Sequence, residues 1–246
     1  MLQGLYAAAS GMEAQQNQFN AIANDMANLD TPGYQATEVG FQDLLYSGAG
    51  SASGSPNIAT GAGSQSAIVG RSSAQGAIQN TGRSLDIAVS GPGYLQVRRN
   101  DGTIGLTRNG NLQVDAQGEV TNQDGNPLVP PLKLPKGTDA SSLKIEPNGQ
   151  VISGSRTIGK ISLVNVPAPN QLQPDGNSMF SVTAGSGAIR PATGSTLQQG
   201  ALEGSNVDVS RDMTAMINAQ RSYQMASQAI QYQDQMLQIA NQLKAG

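Results

Sequence analysis

Residues 2–33 read LQGLYAAASGMEAQQNQFNAIANDMANLDTPG, and this stretch determines how the chain is organised. Its apolar residues recur at alternating steps of three and four, the spacing of one helix face. The predicted seam consists of Leu2, Leu5, Ala9, Met12, Gln16, Phe19, Ala23 and Met26. The flanking residues Ile22 and Leu29 widen it, so we predict a helix over residues 2–29. It should stop before Pro32, which disfavours helix in the preceding residue, and Gly33 should supply backbone freedom that no other residue has.

A second helix is predicted at the other end of the chain, over residues 208–243. Its seam repeats in three–four steps for more than three heptads. The seam positions are Met216, Ala219, Tyr223, Ala226, Ile230, Gln233, Leu237 and Ala240. Ser210 or Asp208 is placed to cap its N-terminus. Each terminal helix thus has one apolar stripe and no core of its own, so the stripes must be buried against each other or against other chains.

The faces away from these seams carry amides instead of the Glu and Lys of a solvated coiled coil. The amides are Gln15, Gln16, Asn17, Gln18, Asn20, Gln220, Gln224, Gln228, Gln231, Gln235, Gln238 and Gln242. Amides donate and accept hydrogen bonds without the desolvation cost of a buried charge. We hypothesise that these faces pack against copies or relatives of the chain; the alternative is an antiparallel helix pair in a soluble monomer.

The middle of the chain is predicted to be β-structure, with a compact β-domain over about residues 80–190. Asp-Gly and Asn-Gly pairs separate short apolar segments between residues 85 and 121, which predicts an antiparallel meander. The predicted strands are 85–89, 93–98, 103–107, 111–115, 119–121, 143–146, 150–153, 157–166 and 179–182. Residues 47–66 are rich in Gly, Ala and Ser and resemble a flexible linker.

These elements predict an α+β fold in which the N- and C-terminal helices pair as a coiled coil around a central, mainly antiparallel β-domain. The predicted division is a terminal helical domain (1–33 and 205–246), an extended Gly/Ser-rich arm (34–79) and a β-rich outer domain (80–204). Residues 1–70 carry five acidic and no basic side chains, whereas residues 71–190 carry eleven basic and eight acidic ones. The acidic arm and the basic β-domain are therefore separate electrostatic units.

Composition excludes much of enzyme chemistry. The 246 residues include no His, Cys or Trp, so Ser–His–Asp and Cys–His catalysis, ordinary zinc sites, haem ligation and disulfides are all ruled out. A net charge of −3 and a pI near 4.9 argue against a nucleic-acid partner. No stretch approaches the roughly 18–20 apolar residues of a membrane span, and the N-terminus is a poor secretory signal. We expect no catalytic residue, no cofactor, no metal and no small-molecule substrate.

Several motifs resemble the bacterial flagellar rod and hook proteins, in which a helix ends in an Ala-Asn-x-x-Ala-Asn-x-x-Thr-x-Gly-aromatic run. That run is matched by residues 23–34, after Ser10-Gly11-Met12. Agreement continues in order at 84–94, 107–110, 202–208, 216–223 and 234–237. Residues 41–46 and 234–237 are most similar to the distal-rod type, but the short Gly/Ser-rich extension after Tyr46 leaves a proximal-rod type open. The chain has no length for the extra outer domain of a hook protein.

The resemblance implies export through the flagellar type III apparatus without a cleaved signal, followed by helical assembly in the basal body that spans the periplasm. The terminal helices would form an inner tube and the β-domain an outer layer of the shaft that passes motor torque to the hook. The implied partners are copies of the chain, proximal-rod proteins, the hook protein and hook–rod junction, the P-ring and L-ring bushing proteins, the rod cap and the export apparatus.

We predict that assembly contacts involve residues of both terminal helices and of the turn after the first. They are Leu5, Met12, Phe19, Asn24, Met26, Asn28, Gly33, Tyr34, Met216, Arg221, Tyr223, Ile230 and Leu237. Asn24 and Asn28 either fix the corner between helix and arm or serve ordinary helix C-terminal chemistry. Arg221 and Tyr223 are candidates to bridge to Asp25 or Asp30, within or between chains. A different class of function also stays open, a monomeric β-domain adhesin or binding module with helical arms.

Overall fold

The structure is a computed structural model that describes residues 2–44, 47–48, 59–60, 63–135 and 140–245. Two long helices lie near the ends of the chain, α1 (Leu2–Ala27) and α2 (Val209–Ala245). Both predicted helices are confirmed to within two residues at each end. Asp208 caps α2, because its Oδ1 accepts from the backbone N–H of Ser210 at 3.0 Å and of Arg211 at 3.1 Å. Of the two capping candidates, Ser210 is therefore wrong and Asp208 correct.

The rest of the described chain is mainly short strands. They are β1 (Thr37–Asp43), β2 (Ser47–Gly48), β3 (Ala59–Thr60), β4 (Ser64–Arg71), β5 (Ile78–Asn80), β6 (Ile87–Ser90), β7 (Tyr94–Arg98), β8 (Ile104–Thr107), β9 (Leu112–Val114), β10 (Val120–Asn122), β11 (Leu143–Ile145), β12 (Gln150–Ser153), β13 (Arg156–Lys160), β14 (Leu163–Asn165), β15 (Gln173–Pro174), β16 (Met179–Ser181), β17 (Arg190–Pro191), β18 (Thr196–Gln199) and β19 (Ala201–Glu203). The predicted α+β class is confirmed, with a β-rich body and two helices.

The chain divides into two compact units. The helical unit comprises Met1–Met26, Thr37–Val69 and Asp208–Gly246, and the β unit comprises Ala27–Ala36 and Gly70–Val207. The predicted three-part division into helical domain, arm and outer domain remains a prediction.

The β unit is built on a six-stranded sheet of order β15-β16-β8-β7-β14-β17 and a three-stranded sheet of order β11-β12-β13. The pairs β9–β10, β6–β18 and β5–β19 complete it. Its main core contains fully buried side chains from several of these pieces, among them Ile87, Leu95, Leu112 and Val151. Burial of this apolar cluster is what holds the short strands together.

The predicted meander is only partly correct. Strands β7–β8 and β9–β10 do form antiparallel hairpins, but β6 pairs with the distant β18 and β8 pairs with β16. The Asn109-Gly110 pair is not a hairpin turn. A Cβ on Gly110 would lie 1.7 Å from the carbonyl oxygen of Ile87, so glycine is needed there for a close approach between chain segments.

Most of the predicted flexible linker, residues 49–58 and 61–62, lies outside the described residues. On either side of it the chain is paired: β2 with β3, and β1 with β4. Residues 64–66, which were included in that prediction, belong to β4.

Candidate assembly surface

Within the helical unit, α1 and α2 touch at two levels. A Cβ on Gly4 would lie 3.2 Å from Gln233 Nε2. Near the middle, a cavity of about 140 Å³ is lined by Gln15, Gln16, Phe19, Ala219, Gln220 and Tyr223. Farther along, burial and the charge of Asp25 both raise the pKa of the Asp212 carboxyl. Contacting residue numbers rise along α1 as they fall along α2, so the two helices run antiparallel. The residue numbers of a contacting pair add up to about 237.

The predicted seam residues lie mostly on half-buried faces of their helices. Half-buried positions are Leu5, Met12, Phe19, Met26, Met216, Ile230 and Leu237, whereas Tyr223 is 40% exposed. Ala9, which was also placed in the α1 seam, is exposed. The role of these side chains in contacts between subunits stays a prediction.

A second side of α1, which carries small and polar residues, is also covered. Ser10 Oγ accepts from the N–H of Ser64 at 3.3 Å, and a Cβ on Gly63 would clash with the same hydroxyl. Farther along this side Ala14 is buried. Near the helix end, Thr37 donates from its N–H and hydroxyl to Asp25 at 3.0–3.1 Å. The small residues of α1 therefore allow the following chain segment to lie close to the helix.

Helix α2 carries an additional apolar stripe away from its seam, and this stripe is exposed. Its seven apolar side chains are between 50% and 80% exposed: Met213, Ile217, Met225, Tyr232, Met236, Ile239 and Leu243. We call them the outer stripe. On a helical projection their mean direction lies roughly 150° from that of the α2 seam. The sequence carries this signal in its spacing, but the sequence analysis missed the outer stripe because glutamines are interleaved with it.

The amide face of α2 lies between the seam and the outer stripe. Its seven glutamines, from Gln220 to Gln242, are all exposed. Between Met213 and Leu243 the only charged side chains are Arg221 and Asp234. A helix with apolar residues on two sides and amides between them is unlike the charged outer face of an ordinary surface helix.

At the end of α1, the two predicted asparagines differ in their surroundings. Asn28 Oδ1 accepts from the hydroxyl of Thr31 at 3.2 Å, while Asn28 O accepts from the N–H of Thr31 at 3.2 Å. These hydrogen bonds agree with the second role predicted for Asn28, which is to stabilise the C-terminal end of the helix. Asn24 is exposed.

The turn after α1 contains Gly33 and Tyr34, both part of the β unit. Gly33 has φ of +68°, and a Cβ there would lie 2.4 Å from the backbone nitrogen of Asn109, so the expected need for glycine is confirmed. The Tyr34 hydroxyl accepts from Arg71 Nη1 at 3.0 Å, and the guanidinium lies 5.4 Å from the ring centroid. Their role in contacts between subunits stays a prediction.

The antiparallel register of α1 and α2 does not bring Arg221 close to Asp25 within one chain. Position 221 lies level with Gln16, nine residues or about 14 Å of helix from Asp25. An Arg221–Asp25 pair would therefore have to join two chains.

A buried ion pair in the β unit was missed by the sequence analysis, although both of its residues lie in motifs used there. Arg108 and Glu203 are each 3% exposed, with Arg108 Nη1 2.8 Å from Glu203 Oε1. The same guanidinium donates to the carbonyls of Gly91 and Gly93, while the N–H of Gly76 donates to Glu203 at 3.0 Å. Burial raises the pKa of the Glu203 carboxyl, and the Arg108 charge opposes that rise. We call these groups the Arg108 hub.

The described residues hold no group of three or more acidic side chains arranged for a metal ion. None of the described helices is both long and apolar enough to cross a membrane.

A β-rich body with two long helices, one of which carries an exposed apolar stripe, agrees with the class of structural proteins. Three family profiles match the chain. "Flagella basal body rod protein" covers residues 5–35, "Flagellar hook protein FlgE/F/G D1 domain" covers residues 88–153, and "Flagellar basal body rod FlgEFG protein C-terminal" covers residues 198–243. The first profile covers most of α1 and its following turn, and the last covers most of α2.

Full-length relatives agree with the profiles. The flagellar basal-body rod protein FlgG of Caulobacter vibrioides is 36% identical, covering 99% of this chain and 100% of the relative. The same-named protein of Borreliella burgdorferi is 35% identical, covering 99% of each. The flagellar hook-basal body complex protein FlhP of Bacillus subtilis is 33% identical, covering 99% of this chain and 100% of the relative. The chain belongs to the flagellar basal-body rod protein family.

Proposed function

We propose that this protein is the structural subunit of the distal rod of the bacterial flagellar basal body. Copies of the chain assemble helically into the drive shaft that transmits motor torque to the hook. Support comes from relatives named FlgG that align over 99% of the chain. The protein has a structural role and is not an enzyme.

The outer stripe is the observation that carries the assembly proposal. Seven large apolar side chains in one row along a helix that has another, half-buried seam cannot all be covered by a single neighbouring helix. Exposed apolar surface of this extent marks an interaction site. A second copy is the fitting occupant, because every copy presents the same helix with the same scarcity of charge.

In the assembled rod, α1 and α2 pair as a coiled coil in the inner tube, and the β unit forms the outer layer. The antiparallel register and the half-buried seam support this pairing. The amide face then lies against neighbouring subunits, where its groups exchange hydrogen bonds without desolvating charges. Permanent assemblies of this type bury roughly 2,000–5,000 Å² per interface.

The wider set of partners follows from this position in the flagellum. The rod joins proximal-rod proteins at one end and the hook–rod junction and hook protein at the other. It turns inside the P-ring and L-ring bushings, grows beneath the rod cap and receives subunits from the export apparatus without a cleaved signal. A proximal-rod role is the alternative within the family.

Deleting the gene in the bacterium that carries it and imaging basal bodies by cryo-electron tomography tests the proposal. We expect basal bodies whose rod stops short of its outer part and carries no hook, with restoration by the gene in trans. A rod lost from its inner end would assign the proximal role instead. Intact flagella with lost surface attachment would assign the adhesin role and overturn the proposal.

A further inference from the structure

The chain passes from one compact unit to the other after Met26, Ala36, Val69 and Val207. Asn206 belongs to the β unit and lies one residue before the last of these points. The backbone groups that its side chain binds lie beside the points after Ala36 and Val69. One side chain therefore ties together three places at which the chain enters or leaves the β unit.

Asn206 uses both ends of its amide group. Its Oδ1 accepts from the backbone N–H of Ala36 at 2.7 Å. Its Nδ2 donates to the carbonyl oxygens of Ser72 at 3.0 Å and Ala74 at 2.8 Å. The backbone N–H of Asn206 donates to the carbonyl oxygen of Tyr34 at 3.3 Å. We call Tyr34, Ala36, Ser72, Ala74 and Asn206 the Asn206 clasp.

The pattern of donors and acceptors in the Asn206 clasp requires an amide. An aspartate at position 206 would keep an acceptor for Ala36, but it would turn an oxygen toward the carbonyl oxygens of Ser72 and Ala74. Two attractive contacts would then become repulsive. An apolar side chain would remove all three side-chain hydrogen bonds. Asparagine is therefore the residue type that fits this position.

Backbone hydrogen bonds connect the same segments to one another and to the Arg108 hub. The N–H of Ser72 donates to the carbonyl oxygen of Ala36 at 2.8 Å. The N–H of Gly33 donates at 2.8 Å to the carbonyl oxygen of Glu203, whose carboxylate pairs with Arg108. The Asn206 clasp is thus anchored on the buried ion pair of the β unit.

We propose that the Asn206 clasp is a joint that makes these chain crossings move as one body and thereby sets the bending stiffness of the assembled rod. This inference rests on the proposed function, in which the helices form an inner tube and the β unit an outer layer. Two layers that are held together bend as one thick tube, whereas layers that can slip bend as two thinner ones. Force carried along the chain between the layers passes through the crossings that the clasp holds together.

Hydrogen exchange followed by NMR in the dilute full-length protein tests the clasp itself. In Asn206→Asp, we expect the amide protons of Ala36 and Ser72 to exchange at least about tenfold faster, because two hydrogen bonds are replaced by repulsion. The amide protons of β7 and β8 should keep their exchange rates, since these strands lie in the six-stranded sheet and make no contact in the clasp.

Asn165→Asp is the matched control. It makes the same change at another half-buried asparagine of the β unit, whose Oδ1 accepts from the N–H of Val166 at 2.8 Å. A carboxylate retains that bond, so exchange at Ala36 and Ser72 should not change. Unchanged exchange at both amides in Asn206→Asp would overturn the clasp. Faster exchange throughout β7 and β8 would show instead that Asn206 supports the whole β unit, and would overturn its role as a joint.

Electron microscopy of polymers grown from concentrated protein tests the consequence for the rod. We expect the persistence length to fall severalfold in Asn206→Asp polymers and to stay at the parent value in Asn165→Asp polymers. Equal persistence lengths for Asn206→Asp and the parent chain would overturn the role in stiffness. So would a loss of polymerisation in Asn206→Asp alone, which would assign the clasp to assembly. A parent chain that does not polymerise would contradict the proposed function, whereas the clasp is tested separately by exchange in the dilute chain.

Discussion

At the scale of single residues, the Arg108 hub connects four parts of the β unit that are far apart in the sequence. Arg108 lies after β8, Glu203 ends β19, and their partners include Gly76 and the Gly91–Gly93 turn. The guanidinium also lies 5.5 Å from the centroid of the Tyr94 ring. A planar cation with forked donors suits this arrangement, which a lysine could not reproduce.

We expect Arg108→Met to lower the free energy of unfolding of the β unit by about 3–5 kcal/mol at pH 7, because Glu203 is left buried and unpaired. The raised pKa of Glu203 means that its neutral form is favoured in the folded state. Stability of the variant should therefore improve on acidification toward pH 5 and be lost again as pH rises. Urea unfolding followed by circular dichroism measures both effects.

The double variant Arg108→Met with Glu203→Gln is the control for that prediction. It has no unpaired carboxylate, so most of the pH dependence should disappear and part of the stability should return. A loss below about 1 kcal/mol for Arg108→Met alone would contradict the importance of the hub.

Gly33→Ala should destabilise the chain more than Gly82→Ala. The two glycines have nearly the same backbone angle, with φ of +68° and +71°, for which alanine costs about 1–2 kcal/mol. Only at Gly33 would the new Cβ also meet backbone, 2.4 Å from Asn109 N, whereas Gly82 has open space. Thermal unfolding of both variants separates the clash from the backbone cost, and equal losses would argue against a tight turn at Gly33.

At the scale of elements, the sequence predicts what depends on local spacing. The helices follow from three–four repeats, and most strands lie between Gly-containing turns, as at Gly102 and Gly118, which both have positive φ. Strand partners were not predictable, because the pairing of β6 with β18 joins segments more than one hundred residues apart and leaves no local signal.

The same limit applies to the candidate assembly surface. Spacing identified the seam, but it could not show which other sides of α1 and α2 are covered within the chain. The covered side of α1 lies against a segment that is distant in the sequence, in which Gly63 lies close to Ser10. The outer stripe became visible only once exposure was known.

The outer stripe gives a prediction for α2. Met236→Glu should raise the critical concentration for polymerisation at least about tenfold, since a charge would be buried in each contact. Gln117→Glu, on an exposed turn of the β unit, adds the same charge elsewhere and should have little effect. Sedimentation of polymers measures this. Equal critical concentrations for Met236→Glu and the parent chain would exclude the outer stripe from the contact.

Gln235→Glu extends the same experiment to the amide face. If the glutamines pack between subunits, this variant should also raise the critical concentration, although the fold and the outer stripe are unchanged. An effect no larger than that of Gln117→Glu would confine the contact to the apolar residues.

At the scale of the whole molecule, charge is kept away from the helices proposed to assemble. The net charge is only −3, and α2 has two charged side chains along most of its length. We therefore expect the critical concentration to change less than about tenfold between 50 and 500 mM salt, a range over which exposed charge pairs become largely screened. A steeper dependence in sedimentation assays would show that electrostatic contacts of the β unit dominate assembly instead.

Cryo-electron microscopy of polymers grown from concentrated full-length protein tests the central claim most directly. We expect a hollow tube whose inner wall is formed by α1 and α2, with the outer stripe of each copy buried against its neighbours and the β unit outside. A protein that stays monomeric at high concentration, or a polymer in which the outer stripe faces solvent, would contradict the account.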